Sequence, residues 1–216
     1  MRKTMIIPTY WCRSSGKCWQ EGDAVYDHPT PVDQEGTLER TLVSMQQFQE
    51  KDFKLVILIC PTTPDVEDAA YEQVYRIVKR VKLRAETYLF TAGDLAAISR
   101  ILKGAGLGDR GAALLSMFGY SNVRNMCLLA ATILTADAAL LIDDDEVFEL
   151  PDFVPRSLEF LGRRVYGDVV HGVVGYYLNG KGRYYDDVTP EPWMTYWDRF
   201  GSKAQAFDQI IGSGPR

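Results

Sequence analysis

Five apolar residues run directly into three carboxylates in the segment Ala138-Ala139-Leu140-Leu141-Ile142-Asp143-Asp144-Asp145. A short apolar run that stops at polar residues is typical of a buried strand in a parallel sheet. Neighbouring carboxylates repel one another and raise each other's pKa, and a divalent cation removes that conflict. Mg²⁺ and Mn²⁺ commonly bridge protein carboxylates to substrate phosphates. The segment therefore predicts a strand that ends at a metal site; the alternative is a solvated acidic turn.

The same pattern of an apolar run with a polar end occurs twice nearer the N-terminus. Residues 4–7 lead into Pro8-Thr9-Tyr10, and residues 54–60 lead into Pro61-Thr62. The remaining spacing predicts helices over 37–50, from a cap at Asp65, over 95–103 and over 121–135, and a strand over 87–90. Strands that alternate with helices predict an α/β fold whose mostly parallel sheet is covered on both faces. Since ligands bind at the carboxyl ends of such strands, Tyr10, Thr62 and the carboxylates are expected to meet.

The alternation of apolar strands and helices is less regular after the carboxylates and is interrupted by two predicted loops. Residues 151–164 have helical spacing, and 168–177 and 183–185 are predicted strands joined by a turn at 178–182. Residues 11–36 are polar and punctuated by Gly and Pro, which predicts a long loop. Residues 106–111 match GxGxxG, but they follow a predicted helix rather than a strand, so dinucleotide binding is disfavoured.

The composition indicates one globular domain. The chain has 216 residues, of which 46% are hydrophobic, and a formal net charge of −5. No basic run stands out, so nucleic acid is not expected as the main partner. No CxxC pair occurs, so a zinc site is not expected, while pairing of Cys12 with Cys18 stays open. The N-terminal apolar segment is too short for a signal peptide and no transmembrane segment is predicted, so we expect a cytoplasmic protein.

Three motifs, in order, resemble those of the family-2 glycosyltransferases. Ile6-Ile7-Pro8-Thr9-Tyr10 is similar to the opening strand motif of that family. Gly119-Tyr120-Ser121-Asn122-Val123-Arg124-Asn125 is similar to its Gly-x-x-x-x-Arg-Asn element, and Ile142-Asp143-Asp144-Asp145 resembles its DxD motif. The order and spacing agree over residues 4–147. The resemblance implies a Rossmann-like GT-A nucleotide-diphospho-sugar transferase fold with a mixed, mostly parallel sheet.

The resemblance also implies a reaction and roles for residues. The reaction is transfer of a hexose or related sugar from a nucleotide-sugar donor to an unidentified acceptor. Asp145, together with Asp143, would coordinate Mn²⁺ or Mg²⁺, and the metal and Arg124 would stabilise the departing nucleoside diphosphate. The residues implied to bind the nucleotide sugar are Pro8, Thr9, Tyr10, Thr62, Arg124, Asp143 and Asp144.

The chain departs from the family pattern at two places. The family often has an acidic residue directly after the second strand, and Thr62 or Asp65 is the candidate replacement here. Inverting members carry a catalytic carboxylate well downstream of the DxD motif, and nothing after Asp145 has a recognisable signature for that role. The weak candidates are Asp186, Asp187, Asp198 and Asp208. We therefore expect a single domain over 1–216, with a donor-binding part at 1–147 and an incomplete acceptor-binding part at 148–216.

Two other functions fit parts of the sequence. Residues 143–147 also match the DxDx[TV] motif of haloacid-dehalogenase-like phosphatases, with Asp143 as the nucleophile and Asp145 as the general acid. That motif normally opens its domain, whereas here it lies two-thirds along the chain. The other alternative is a donor-binding module or fragment without turnover. The aromatic residues of 184–200 are interpreted as hydrophobic packing, with stacking on a sugar as the alternative.

Overall fold

The structure is a computed structural model that describes residues 1–17, 19–175, 178, 181–182 and 192. The chain divides into two compact units, Met1–Arg163 and Arg164–Arg216. The first unit contains the central sheet and the predicted donor-site residues. In the second unit, the described residues include two short strands.

The first unit is built on a five-stranded parallel sheet. Its strands are β1 (Lys3–Cys12), β2 (Thr30–Pro31), β3 (Lys54–Pro61), β4 (Glu86–Phe90) and β5 (Ala138–Leu141). β3 pairs with β1 from Thr4 to Trp11 and with β4 on its other side, and every described pairing in this sheet is parallel. The predicted α/β class and mostly parallel sheet are confirmed, whereas no antiparallel member of the predicted mixed sheet occurs among the described strands of this unit.

The strand order reverses at β1. β5 pairs with Lys3–Ile6 and β2 with Trp11–Cys12, so both lie on the side of β1 away from β3. The chain therefore moves outward from β1 through β3 to β4 and then returns to the opposite side of β1. A reversal of this kind opens a crevice at the carboxyl ends of the strands, where ligands bind in α/β sheets.

Helices cover both faces of the sheet. They are α1 (Leu38–Ser44), α2 (Glu67–Val81), α3 (Ala92–Gly104), α4 (Asp109–Ala112), α5 (Tyr120–Ile133) and α6 (Phe153–Ser157), with 3-10 turns at Met45–Gln47 and Pro64–Val66. Because side chains alternate along a strand, Met5 and Ile7 of β1 pack with α1 and α2, and Ile6 packs with α5. None of the described helices is long and apolar enough to cross a membrane.

Several predicted boundaries were wrong near helix ends. Asp65 is not the cap of α2, because it lies in the preceding 3-10 turn and accepts hydrogen bonds from Thr63 and Arg13. The predicted helix over 37–50 is α1 followed by a 3-10 turn, and the one over 151–164 is the short α6. Helix α3 begins at a capping box in which Thr91 and Asp94 exchange side-chain and backbone hydrogen bonds.

The strand predictions differ from the structure at three places. β1 has 10 residues and extends past the predicted strand at 4–7, so Thr9 and Tyr10 belong to the strand. The predicted loop over 11–36 contains β2. The predicted strand over 168–177 is reduced, among described residues, to β7 (Asp168–Val169), which pairs with β6 (Arg164–Val165). The predicted strand over 183–185 lies outside the described residues.

Candidate functional site

An arginine and a carboxylate meet at the carboxyl end of the sheet. Arg124 projects from the second turn of α5, and its Nη2 donates a 2.6 Å hydrogen bond to Asp143 Oδ1. The same Nη2 donates to the Tyr120 hydroxyl at 2.6 Å, and the guanidinium lies 5.0 Å from the centre of the Tyr120 ring. Two of the predicted donor-site residues are thus brought into direct contact, although they are 19 residues apart.

The carboxylates that follow β5 form a β-turn. The Glu146 N–H donates to the Asp143 carbonyl at 3.3 Å, which closes the turn over residues 143–146, hereafter the acidic turn. The side chains of Asp143 and Asp145 are each 41% exposed. Both side chains are therefore open to a ligand.

Asp144 is directed inward, unlike its neighbours. It is 9% exposed, and its Oδ2 accepts a 2.6 Å hydrogen bond from the hydroxyl of Thr9, which is fully buried. Burial, reinforced by the charges of Asp145 and Asp143, raises the pKa of Asp144 to about 6, although the Thr9 hydrogen bond lowers it. Burial also raises the pKa of Glu146. Thr9 and Asp144, both predicted to bind the donor, therefore contact each other.

Helix α1 holds the backbone of the acidic turn. The Thr41 hydroxyl donates to the Asp144 carbonyl at 2.7 Å, and Arg40 Nη2 donates to the Asp145 carbonyl at 3.3 Å. One turn later, Ser44 Oγ accepts from the Phe148 N–H at 3.1 Å. These three side chains give hydrogen-bond partners to a segment that belongs to no helix or strand.

Three tyrosines lie beside Arg124. The Tyr10 ring is 4.4 Å from the Tyr26 ring and 6.2 Å from the Tyr120 ring, with which it is stacked. The Tyr10 hydroxyl is buried without a hydrogen-bond partner among the described residues, and burial raises its pKa. Tyr120 is half-exposed, which leaves part of an aromatic surface open next to Arg124.

The loop between β1 and β2 crosses this site, which the sequence did not indicate. We call residues 23–29 the crossing loop. The Ala24 N–H donates to the Thr62 carbonyl at 2.8 Å, and the Tyr26 hydroxyl donates to the Met117 carbonyl and accepts from the Gly119 N–H, each at 3.1 Å. His28 Nε2 lies 3.4 Å from Asp145 Oδ2. The only signal for this arrangement was the length of the loop, since long ordered loops are often functional.

Two of the remaining candidates near the strand ends, Pro8 and Thr62, are buried, whereas Asp65 is exposed. Pro8 lies inside β1, and Thr62 is 2% exposed with a hydroxyl that has no partner among the described residues. Asp65, the other candidate for reading the base, accepts two 3.1 Å hydrogen bonds from Arg13. Arg13 and Asp65 line a cavity of about 390 Å³. Its other lining residues are Ser14, Ser15, Lys17, Val32, Val66 and Ala69. That cavity does not include the acidic turn.

Asp143 and Asp145 are the outward carboxylates of the acidic turn that could bind a metal ion. Over the described part of the chain, no group of three or more His, Cys, Asp or Glu side chains is arranged to hold a metal ion. Mg²⁺ is usually bound by one or two carboxylates together with substrate phosphates, and Asp143 and Asp145 fit that mode. The candidate bases Asp186, Asp187, Asp198 and Asp208 lie outside the described residues.

Comparison with known proteins does not assign the chain to a family. No protein-family model matches the sequence, and searches of curated proteins and of solved structures found no significant match.

Proposed function

We propose that this protein is a metal-dependent glycosyltransferase that takes a sugar from a nucleoside diphosphate sugar. The proposal rests on the contact between Arg124 and the acidic turn at the carboxyl ends of β1 and β5. These two strands lie where the strand order reverses, which is where α/β sheets bind ligands. The resemblance of the three sequence motifs to the family-2 glycosyltransferases supplies the reaction class.

The charges of the site suit a diphosphate leaving group. Arg124 offers a planar fork of N–H donors, which matches phosphate oxygens. Asp143 and Asp145 would hold Mn²⁺ or Mg²⁺, which supplies positive charge to the departing diphosphate. Arg124 is paired with Asp143 in the structure, so we propose that the donor diphosphate takes over part of that pairing. The exposed face of Tyr120 is available to stack on the base or sugar.

The acceptor side of the reaction is not assigned to residues. The four candidate bases stay predictions, as do the acceptor and a cytoplasmic location. A donor-binding protein without turnover uses the same donor residues, so binding and transfer have to be measured separately.

Thermal unfolding with a panel of nucleoside diphosphates and nucleotide sugars, with and without Mn²⁺, tests the proposal. A ligand that binds only the folded state raises stability by about 3 kcal/mol at one hundred times its Kd. We expect at least one member of the panel to raise the melting temperature in the presence of Mn²⁺. Consumption of that donor would support transfer, and binding without consumption would favour a binding module. A panel with no shift would contradict the proposal.

A further inference from the structure

We propose that Thr9 and Thr41 are positioning residues, which fix the acidic turn so that Asp143 and Asp145 face outward. Neither threonine would touch the donor. The functional part of this inference rests on the proposed function, because the outward carboxylates matter only if they hold a ligand.

The first observation is that the acidic turn lacks the usual support of a strand. The ladder between β5 and β1 ends with the Ile142 N–H, which donates to the Ile6 carbonyl at 3.1 Å. Beyond that bond, residues 143–148 belong to no helix or strand. Four consecutive carboxylates repel one another in this turn, so its conformation needs contacts from elsewhere.

The second observation is that two buried hydroxyls donate hydrogen bonds to Asp144, one to its side chain and one to its main chain. Thr9 donates to the side-chain carboxylate at 2.6 Å, and Thr41 donates to the main-chain carbonyl at 2.7 Å. Thr9 and Thr41 are both fully buried, and they come from β1 and α1, two elements that pack in the same core. Rotation of the Asp144 side chain outward would leave the Thr9 hydroxyl buried and unpaired, and a shift of its main chain would do the same to the Thr41 hydroxyl.

Fixing the middle residue of the turn fixes its neighbours as well. With Asp144 held inside, Asp143 is left in reach of Arg124, and Asp145 is left half-exposed on the other side of it. Without either threonine hydroxyl, Asp144 would be free to turn toward the solvent, and Asp143 or Asp145 would be free to turn toward the interior. The expected functional effect is weaker binding of any ligand that needs both outward carboxylates.

The test compares variants that remove or keep each hydroxyl. Thr9→Val and Thr41→Val remove it with little change in volume, whereas Thr9→Ser and Thr41→Ser keep it. Thr87→Val is the matched control, because Thr87 donates to a backbone carbonyl, that of Ala85, at 3.0 Å near the amino end of β4, at the opposite edge of the sheet. All measurements are made well below each variant's melting temperature, so that loss of folding does not contribute.

The first measurement needs no ligand. Hydrogen exchange of the amides of residues 143–148 is expected to be at least about tenfold faster in both valine variants than in wild type, and unchanged in both serine variants and in Thr87→Val. Unchanged exchange in Thr9→Val and Thr41→Val would overturn the inference, whatever the protein binds.

The second measurement is Mn²⁺-dependent binding of UDP and GDP by calorimetry. Both valine variants are expected to bind at least about tenfold more weakly than wild type, with recovery in the serine variants. Wild-type affinity in folded valine variants would overturn the positioning role and leave the proposed function intact. If wild type itself binds neither nucleotide, that result counts against the proposed function, and the exchange measurement alone decides whether the hydroxyls hold the turn.

Discussion

The proposed function depends most directly on the charge of Arg124. If it faces the donor diphosphate, Arg124→Ala should weaken binding of a nucleoside diphosphate and leave binding of the nucleoside unchanged. Hydrogen bonds to charged groups are worth about 1.5–3 kcal/mol, so a loss of roughly tenfold or more is expected. Calorimetry checks this, with Arg156→Ala as the control, since Arg156 of α6 forms an ion pair with Asp152, the residue before that helix. Equal diphosphate affinity in wild type and Arg124→Ala would remove Arg124 from the site.

Asp144 gives the protein a defined dependence of stability on pH. Its pKa of about 6 in the folded protein lies above its ordinary value of 3.8, because the carboxyl is buried. The folded state therefore binds this proton more tightly than the unfolded state, and the stabilisation is present at low pH and lost as pH rises through about 6.

Asp144→Asn should remove this dependence. Between about pH 4 and about pH 7, wild type in EDTA should lose about 2 kcal/mol of unfolding free energy relative to the variant. Denaturant unfolding of both proteins at several pH values measures the difference. Parallel curves for the two proteins would show that Asp144 does not titrate in this range.

Sequence reasoning at the residue scale placed Arg124 and Asp143 in one site but predicted neither their ion pair nor the directions of the carboxylates. The structure brings the two side chains into contact. The inward direction of the Asp144 side chain depends on Thr9, which is 135 residues away, and the position of its main chain depends on Thr41, which was interpreted only as part of a helix. No local pattern tells which of three adjacent carboxylates will meet a buried hydroxyl.

The Tyr26 hydroxyl connects the crossing loop to the segment that precedes α5. Tyr26 is 6% exposed, and its hydroxyl makes two hydrogen bonds to backbone groups at residues 117 and 119. Tyr26→Phe leaves a buried carbonyl and a half-buried N–H without this partner, so the unfolding free energy should fall by about 1–3 kcal/mol. Denaturant unfolding measures the change, with Tyr75→Phe as the control on the exposed side of α2. Equal stabilities for the two variants would contradict the assigned role.

β1 is longer than predicted, because the strand continues past Pro8. Pro8 suggested the end of the strand, since proline lacks the N–H that a central strand needs. At Pro8, however, β1 has a strand partner only on the β3 side, because β5 pairs with residues 3–6 and β2 with residues 11–12. Proline is tolerated in this gap. Apolar periodicity still predicted β3, β4, α3 and α5 to within a few residues.

For the whole molecule, the sequence predicted the class of fold but not its full connectivity. Alternating apolar strands and helices require a parallel sheet with both faces covered, which is what the first unit shows. The reversal of strand order at β1 depends on which edge β5 joins, and that choice is made by packing rather than by local pattern. The GT-A fold stays a prediction, which rests on the sequence motifs.

The central claim is that the outward carboxylates hold a cation which helps to bind a diphosphate. Calorimetry of nucleoside diphosphates in EDTA and in Mn²⁺ tests it most directly, with wild type, Asp145→Asn and Asp137→Asn. Asp137 is the matched control, because it is a surface carboxylate paired with Arg2 at the start of β5. We expect Mn²⁺ to strengthen nucleoside diphosphate binding at least roughly tenfold in wild type and in Asp137→Asn, and not in Asp145→Asn. Equal affinity of wild type in EDTA and in Mn²⁺ would contradict it.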